Sequence, residues 1–202
     1  FFDKLEGEIY EGKFEFDGHV KFDQSAMLNG SLKKMNLVKI PGLQGTPINK
    51  GRLESTVKLI LNFKDLSQYL QTLSGKINFQ VTDGSVDTID IDAIIQQLKN
   101  LKDVQGLFQG IQLAQTQRPL DIKTLKADFD INKGIAVTKN MELVSDKCAV
   151  KGQGDIDLVK MMLNLILNIH IQALDKLTIP VKIQGPWNAL SYGVDQEKLG
   201  KE

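Results

Sequence analysis

Apolar and polar residues alternate along most of this chain. The clearest stretch is 163–172, where Leu163, Leu165, Leu167, Ile169 and Ile171 are apolar. Asn164, Asn168, His170 and Gln172 between them are polar, and only Ile166 departs from the rule. Side chains of a strand point alternately to opposite faces, so a period of two predicts a strand with one greasy and one wetted side. The pattern recurs at Phe14, Phe16, Val20 and Phe22 opposite Glu15, Asp17, His19 and Lys21. Gly18 inside that run reads as a bulge or a tight hairpin. Leu53, Ser55, Val57, Leu59, Leu61 and Phe63 form another inward row, opposite Arg52, Glu54, Thr56, Lys58 and Asn62. Leu125, Ala127, Phe129 and Ile131 oppose Lys126, Asp128 and Asp130 in the same way. Ile77, Phe79 and Val81 make one further strand, and Leu177, Ile179, Val181 and Ile183 a last one; 28–37 is a weaker candidate.

Two short helices interrupt the strands. Asp65 reads as the N-cap of 66–73, with Leu66, Tyr69, Leu70 and Leu73 at helical spacing and Gly75 as the stop. Asp92 caps 94–105, where Ile94, Ile95, Leu98 and Leu101 form an apolar stripe. Hairpin turns are expected at Thr82-Asp83-Gly84, Asn132-Lys133-Gly134 and Ser145-Asp146. The region of Pro41 to Pro47 and the polar stretch 113–119 read as loops, with an irregularity near Asn140. Gly185-Pro186 closes the last strand, and Ser191 onward reads as a polar tail. Segments 79–86 and 129–136 echo one another as strand, glycine turn and return strand. The expected fold is mainly β with minor α: a large, curved antiparallel meander with two short amphipathic helices, groove-like or half-barrel-like. One domain covers 1–202, with weak internal halves 1–113 and 120–190.

Charge and composition remove several function classes. Lys plus Arg equals Asp plus Glu, 25 each over 202 residues, so no basic excess recommends a nucleic acid as partner. Cys148 is the sole cysteine and sits on an apolar row with Val150, Ile156 and Leu158, which reads as a buried small hydrophobe. No stretch approaches the ~20 apolar residues of a spanning helix. The first residues resemble mid-domain sequence, so the chain reads as a piece of something longer.

A search for chemistry yields no catalytic set. His19 and His170 both fall on wetted strand faces and have no further ligands at metal-binding spacing. Asp83, Asp87, Asp90 and Asp92 cluster, but no late glutamate completes a calcium loop. Lys151-Gly152-Gln153-Gly154-Asp155 lacks the Gly-Lys-Ser/Thr of a phosphate loop, and its glycines read as permitting a bend. No cofactor and no enzymatic activity are expected.

The order of motifs resembles the AsmA family. Ile9-Tyr10-Glu11-Gly12 is similar to that family's Y-x-G strand, and Leu73 to Gly84 resembles its L-x-G-x-x-x-F-x-V-x-D-G segment. Ile89-Asp90-Ile91 before a helix fits, although Thr88 stands where the family often has glycine. Leu125 to Gly134 resembles L-x-A-x-F-x-I-x-x-G. Met141 to Ser145 followed by Val150 to Leu158 resembles L-x-L-x-S … V-x-G-x-G-x-x-D-L, and Ile179 to Trp187 resembles the closing I-P-V-x-I-x-G segment. The resemblance implies a Gram-negative envelope protein with its body in the periplasm. An N-terminal helix would tether it to the inner membrane, and its role would lie in outer-membrane biogenesis. It also implies phospholipid carried along an apolar groove, and it brings no catalytic residues.

Two functions therefore compete. In the first, greasy strand faces with little helical cover bind phospholipid or acyl chains. The lipid-facing candidates are then Leu53, Val57, Leu59, Phe63, Leu125, Phe129, Leu163, Leu165, Leu167 and Ile169. In the second, a structural module recruits envelope protein partners through open strand edges and modulates outer-membrane protein assembly.

Overall fold

The computed structural model describes residues 2–21, 24–41, 48–62, 68–88, 118–173 and 178–194. Their strands are β1 (Phe2–Ile9), β2 (Gly12–Val20), β3 (Ser25–Asn36), β4 (Ile48–Asn62), β5 (Ser74–Thr88) and β6 (Arg118–Asn132). The remaining strands are β7 (Ile135–Ser145), β8 (Cys148–Asp157), β9 (Met162–Ile171), β10 (Thr178–Pro186) and β11 (Ser191–Val194). Among the described residues all eleven belong to one sheet, in which spatial order equals chain order. Every neighbouring pair is antiparallel. β1 and β11 lie at opposite ends of that order, so the sheet is open. The mainly β meander expected from the alternation is therefore present.

Among the described residues helix is nearly absent. Of the expected helix 66–73, the described residues hold α1 (Tyr69–Thr72), four residues after Gln68; Asp65 and Leu66 lie outside the described residues. Thr72 Oγ1 accepts from the backbone N–H of Asn62 at 2.9 Å and donates to the Asn62 carbonyl, tying this turn to the end of β4. The expected helix 94–105 also lies outside the described residues. A 3-10 turn, Leu37–Lys39, comes directly after β3 and tucks Leu37 into the core.

Several sequence expectations need correction. Thr82-Asp83-Gly84 is not a hairpin, because β5 runs straight through it. Lys50 pairs with Ser85 and Arg52 with Thr82, so Asp83 and Gly84 together oppose the single residue Gly51. That is a β-bulge, with Asp83 at φ 49° and Gly51 at φ 146°. Asp-Gly marks a positive-φ position, which a bulge requires as much as a turn does. The echo between 79–86 and 129–136 fails for the same reason, since only the second is a hairpin. There Lys133 and Gly134, at φ 50° and 77°, form the two-residue loop between Asn132 and Ile135. Arg118 and Pro119, expected in a loop, start β6. Pro119 is in register with Asp87 of β5 only, because β7 joins further along at Ile122, so on its other side no neighbouring strand needs its missing N–H. The polar tail begins instead with β11, which pairs with β10 from Gln184 to Val181. Gly18 lies in register with Leu28 within β2, which excludes a hairpin there.

The irregularity near Asn140 is real. Between Thr138 and Met141 β7 carries one residue more than β8. Before this bulge Ala136 and Thr138 are buried while Ile135 and Val137 are exposed; after it Met141, Leu143 and Ser145 point inward. One extra residue reverses which parity faces the core, as a period of two demands.

Candidate functional site: the apolar face

The register aligns the inward residues into rows that cross the sheet. Met35, Leu53, Val81, Leu125, Leu143, Val150, Ile169 and Ile179 are successive cross-strand partners from β3 to β10. A second row joins Phe16, Gly30, Val57, Ile77 and Phe129. A third joins Leu28, Leu59, Gly75, Ile131, Ala136, Ile156 and Leu163. Leu165 and Leu167 face the same side, opposite Gly154 and Gly152. Phe63 lies outside the described residues. The other sequence-derived candidates are thus brought onto one side of one sheet.

Their environments differ. Phe129, Leu165 and Ile169 are buried, with Ile171 at 0 % exposure and Ile179 at 2 %. These residues belong to the β5–β10 part of the face, where two apolar clusters form around Val81, Ile122, Cys148 and Ile171 and around Ala127, Phe129 and Ile131. Phe79 stacks on Phe129 with ring centroids 6.1 Å apart. Leu53, Val57 and Leu59 on β4 are only half-buried, as are Leu28 and Leu32 on β3 and Phe14 and Phe16 on β2. Leu125 on β6 and Leu163 and Leu167 on β9 are half-buried too, within the β5–β10 part. At the outer margin Leu5 is 54 % and Val20 57 % exposed.

The β1–β3 end is floored by glycine. A Cβ on Gly30 would lie 2.0 Å from Phe16 Cδ1, and one on Gly7 would lie 2.9 Å from Phe14 Cζ. Each ring therefore lies over a neighbouring glycine, covering backbone that no side chain covers. The alternation at Phe14 and Phe16 was visible in sequence. Their membership of this face was not, because the partners that place them there, Gly7 and Gly30, show no periodic signal.

The opposite face is polar and ordered. Asp128 accepts from Asn78 Nδ2 and Asn140 Nδ2, and its own N–H donates to Asn140 Oδ1 at 3.3 Å. Thr56 Oγ1 donates to Asn78 Oδ1 at 3.3 Å, so one polar chain spans β4 to β7. The two amide donors, Asn78 first, hold the Asp128 carboxyl below its ordinary range. A shallow depression of about 530 Å³ lies over this chain, walled by Glu54, Gln80, Lys126 and Glu142. His19 and His170 fall on this wetted side, on β2 and β9. Among the described residues no three His, Cys, Asp or Glu side chains gather into a metal-sized group.

Cys148 is buried, and burial pushes its thiol above the ordinary range. Ser145 Oγ accepts from the Cys148 N–H at 2.9 Å and donates to the Cys148 carbonyl at 3.0 Å, closing the β7–β8 turn. Glu11 was not singled out by sequence. It occupies the β1–β2 turn and accepts from Lys39 Nζ at 2.6 Å, Asn36 Nδ2 at 2.8 Å and Arg52 Nη1 at 3.1 Å. Lys39 and Asn36, with Arg52 adding less, lower its carboxyl to about 2.

No family model matches this chain, and neither a curated protein nor a solved structure does.

Proposed function

We propose that this domain binds phospholipid or single acyl chains along the apolar face, without catalysing a reaction on them. One observation carries the reading: inward rows run from strand to strand over much of the sheet and, Met35 apart, stay half-exposed over β2–β4. Each CH₂ removed from water there gains about 0.8 kcal/mol, so a chain of methylenes needs few specific contacts to be held. β4, β5 and β6 are each 15 residues long, roughly 50 Å, against the ~30 Å of a bilayer's hydrocarbon layer. Within the face, Leu53, Val57 and Leu59, and with them Leu125, Leu163 and Leu167, are half-buried and have apolar area to offer. Phe129, Leu165 and Ile169 serve the fold. The motif resemblance to the AsmA family supports the same reading and extends it. The domain would work in the periplasm of a Gram-negative cell, in a chain tethered to the inner membrane, and contribute to outer-membrane biogenesis.

The competing reading, recruitment of a protein strand to an open edge, finds less support. β1 alternates Lys4, Glu6 and Glu8 with its apolar residues, and charges on an edge strand discourage strand addition.

Native mass spectrometry of the purified domain, with extraction of what it carries, tests the proposal. About one phospholipid or fatty acid per chain is expected. Val57→Asp should empty it while leaving the circular dichroism spectrum unchanged. A stable, lipid-free monomer that takes up no added phospholipid would overturn it.

A further inference from the structure

The two ends of the sheet differ in chemistry. At one end lie the β1–β2 and β7–β8 turns and the 3-10 turn. Charges are paired there: Glu11 with Lys39 and Arg52, Lys50 with Asp121 at 3.0 Å, and Lys123 with Asp146 at 2.5 Å. At the other end lie α1 and the β6–β7, β8–β9 and β10–β11 turns. These present Tyr69, Val159, Met161, Met162 and Trp187, all exposed, with Met161 at 49 % and Trp187 at 47 %. They come from separate segments yet are physically joined. Trp187 N–H donates to the Met161 carbonyl at 3.1 Å, and Leu158 N–H donates to the Gly134 carbonyl at 2.9 Å. Gly134 N–H in turn donates to the Leu73 carbonyl at 2.9 Å. Gly134 is confined by Leu70 O and Val159 Cγ2, which would stand 2.5 and 2.8 Å from an added Cβ.

The described residues of these turns carry a net positive charge. Lys133 and Lys160 sit in its turns, exposed. Among the described residues of these turns the one carboxylate is Asp157. It faces back into its own loop, accepting from the N–H groups of Val159 and Lys160 at 3.0 and 2.9 Å and lying 3.6 Å from Lys160 Nζ. Asp23 and Asp65, nearby in sequence, lie outside the described residues. The rim is also continuous with the apolar face, because Leu73 and Leu158 beside it pack against the Phe129 cluster.

Exposed Trp and Tyr with thioethers, set among lysines, is the composition that partitions into a headgroup layer. We propose that this end of the sheet docks on an anionic lipid surface, with Trp187, Met161 and Met162 entering its interfacial layer and Lys133 and Lys160 facing the headgroups. The inference rests on the acyl-chain reading only for the step after docking, the passage of a chain from the surface onto the face. Docking itself stands on different residues.

Trp187 is the sole tryptophan, so its emission reports the rim directly. The test uses vesicles of phosphatidylcholine with and without phosphatidylglycerol, the latter also with brominated chains. A blue shift, bromine quenching and co-sedimentation are expected with the anionic vesicles, weakening as salt is raised. Met161→Asp with Met162→Asp, and separately Lys133→Glu with Lys160→Glu, should each lower partitioning at least about tenfold, with unfolding midpoints like the parent's. Unchanged emission and a protein that stays in the supernatant would overturn docking. So would a dimer in sedimentation velocity that the methionine changes dissolve while neither vesicle binds, since the rim would then belong to a second copy. Native mass spectrometry separates the two proposals. Vesicle binding by a chain that never carries lipid sustains docking and sinks the acyl-chain reading; retained lipid without vesicle binding does the reverse.

Discussion

The β1–β4 and β5–β10 parts of the apolar face use the same alternation and reach different ends. Over β5–β10 large aliphatic side chains meet in rows and exclude water, down to the complete burial of Ile171. Over β1–β4 the inward residues are as apolar and Met35 is buried, but phenyl rings rather than aliphatic side chains lie over Gly7 and Gly30, and Leu28, Leu32, Leu53 and Val57 stay half-exposed. Apolar patterning alone therefore does not make a closed core. What fills the space opposite each glycine decides whether a face becomes interior or stays available.

The largest expected effect lies in the closed part. Ile171→Ala should cost about 3 kcal/mol of unfolding free energy, as large-to-small changes at fully packed sites do, whereas Leu28→Ala in the open part should cost about 1 kcal/mol. Urea unfolding of both variants checks this, and equal losses would break the comparison. Next, Gly30→Ala should cost about 1–2 kcal/mol, because the new methyl meets the Phe16 ring and, at 2.8 Å, the Glu15 carbonyl. Combining it with Phe16→Ala should recover part of the loss, and a double-mutant cycle with no coupling would refute the ring-on-glycine account.

The smallest effect is local. Glu11 fastens the β1–β2 turn to β4 through Arg52 and to the 3-10 turn through Lys39. Its folded-state carboxyl lies at about 2 against an ordinary 4.5. The stabilisation it gives is thus full above its unfolded value and disappears as pH falls through about 2. A carboxyl NMR titration with a midpoint near the ordinary value would remove this anchor from the account. Glu11→Gln at neutral pH should speed amide exchange in β1 and β2 and leave β6–β9 unchanged.

Much of the fold is legible in the chain. Leu125 to Ile131 and Leu163 to Ile171 declare their faces, because burial of one side of a strand leaves a period of two whatever lies beyond it. Lys133-Gly134 is legible as a turn, since two successive positive-φ positions between apolar runs have few other uses. Asp83-Gly84 carries the same local signal and yields a bulge. What separates the cases is Gly51 on the neighbouring strand, which no local window contains. β1 was hidden by Lys4, Glu6 and Glu8, whose edge position tolerates charge on a strand. β11, at four residues, is too short to show a period. For the candidate site, sequence located the apolar rows. It did not divide them into packed and open parts, because that division depends on register across strands.

Because each described strand pairs with the one before it, none of them waits for a strand made much later. Contacts of this kind keep loop-closure costs low and favour early pairing during synthesis. A chain emerging from its N-terminus could lay down one hairpin after another, each new strand covering the exposed edge of the last. The unprotected edge then moves along with the growing end. The meander is thus an order of assembly as well as an architecture.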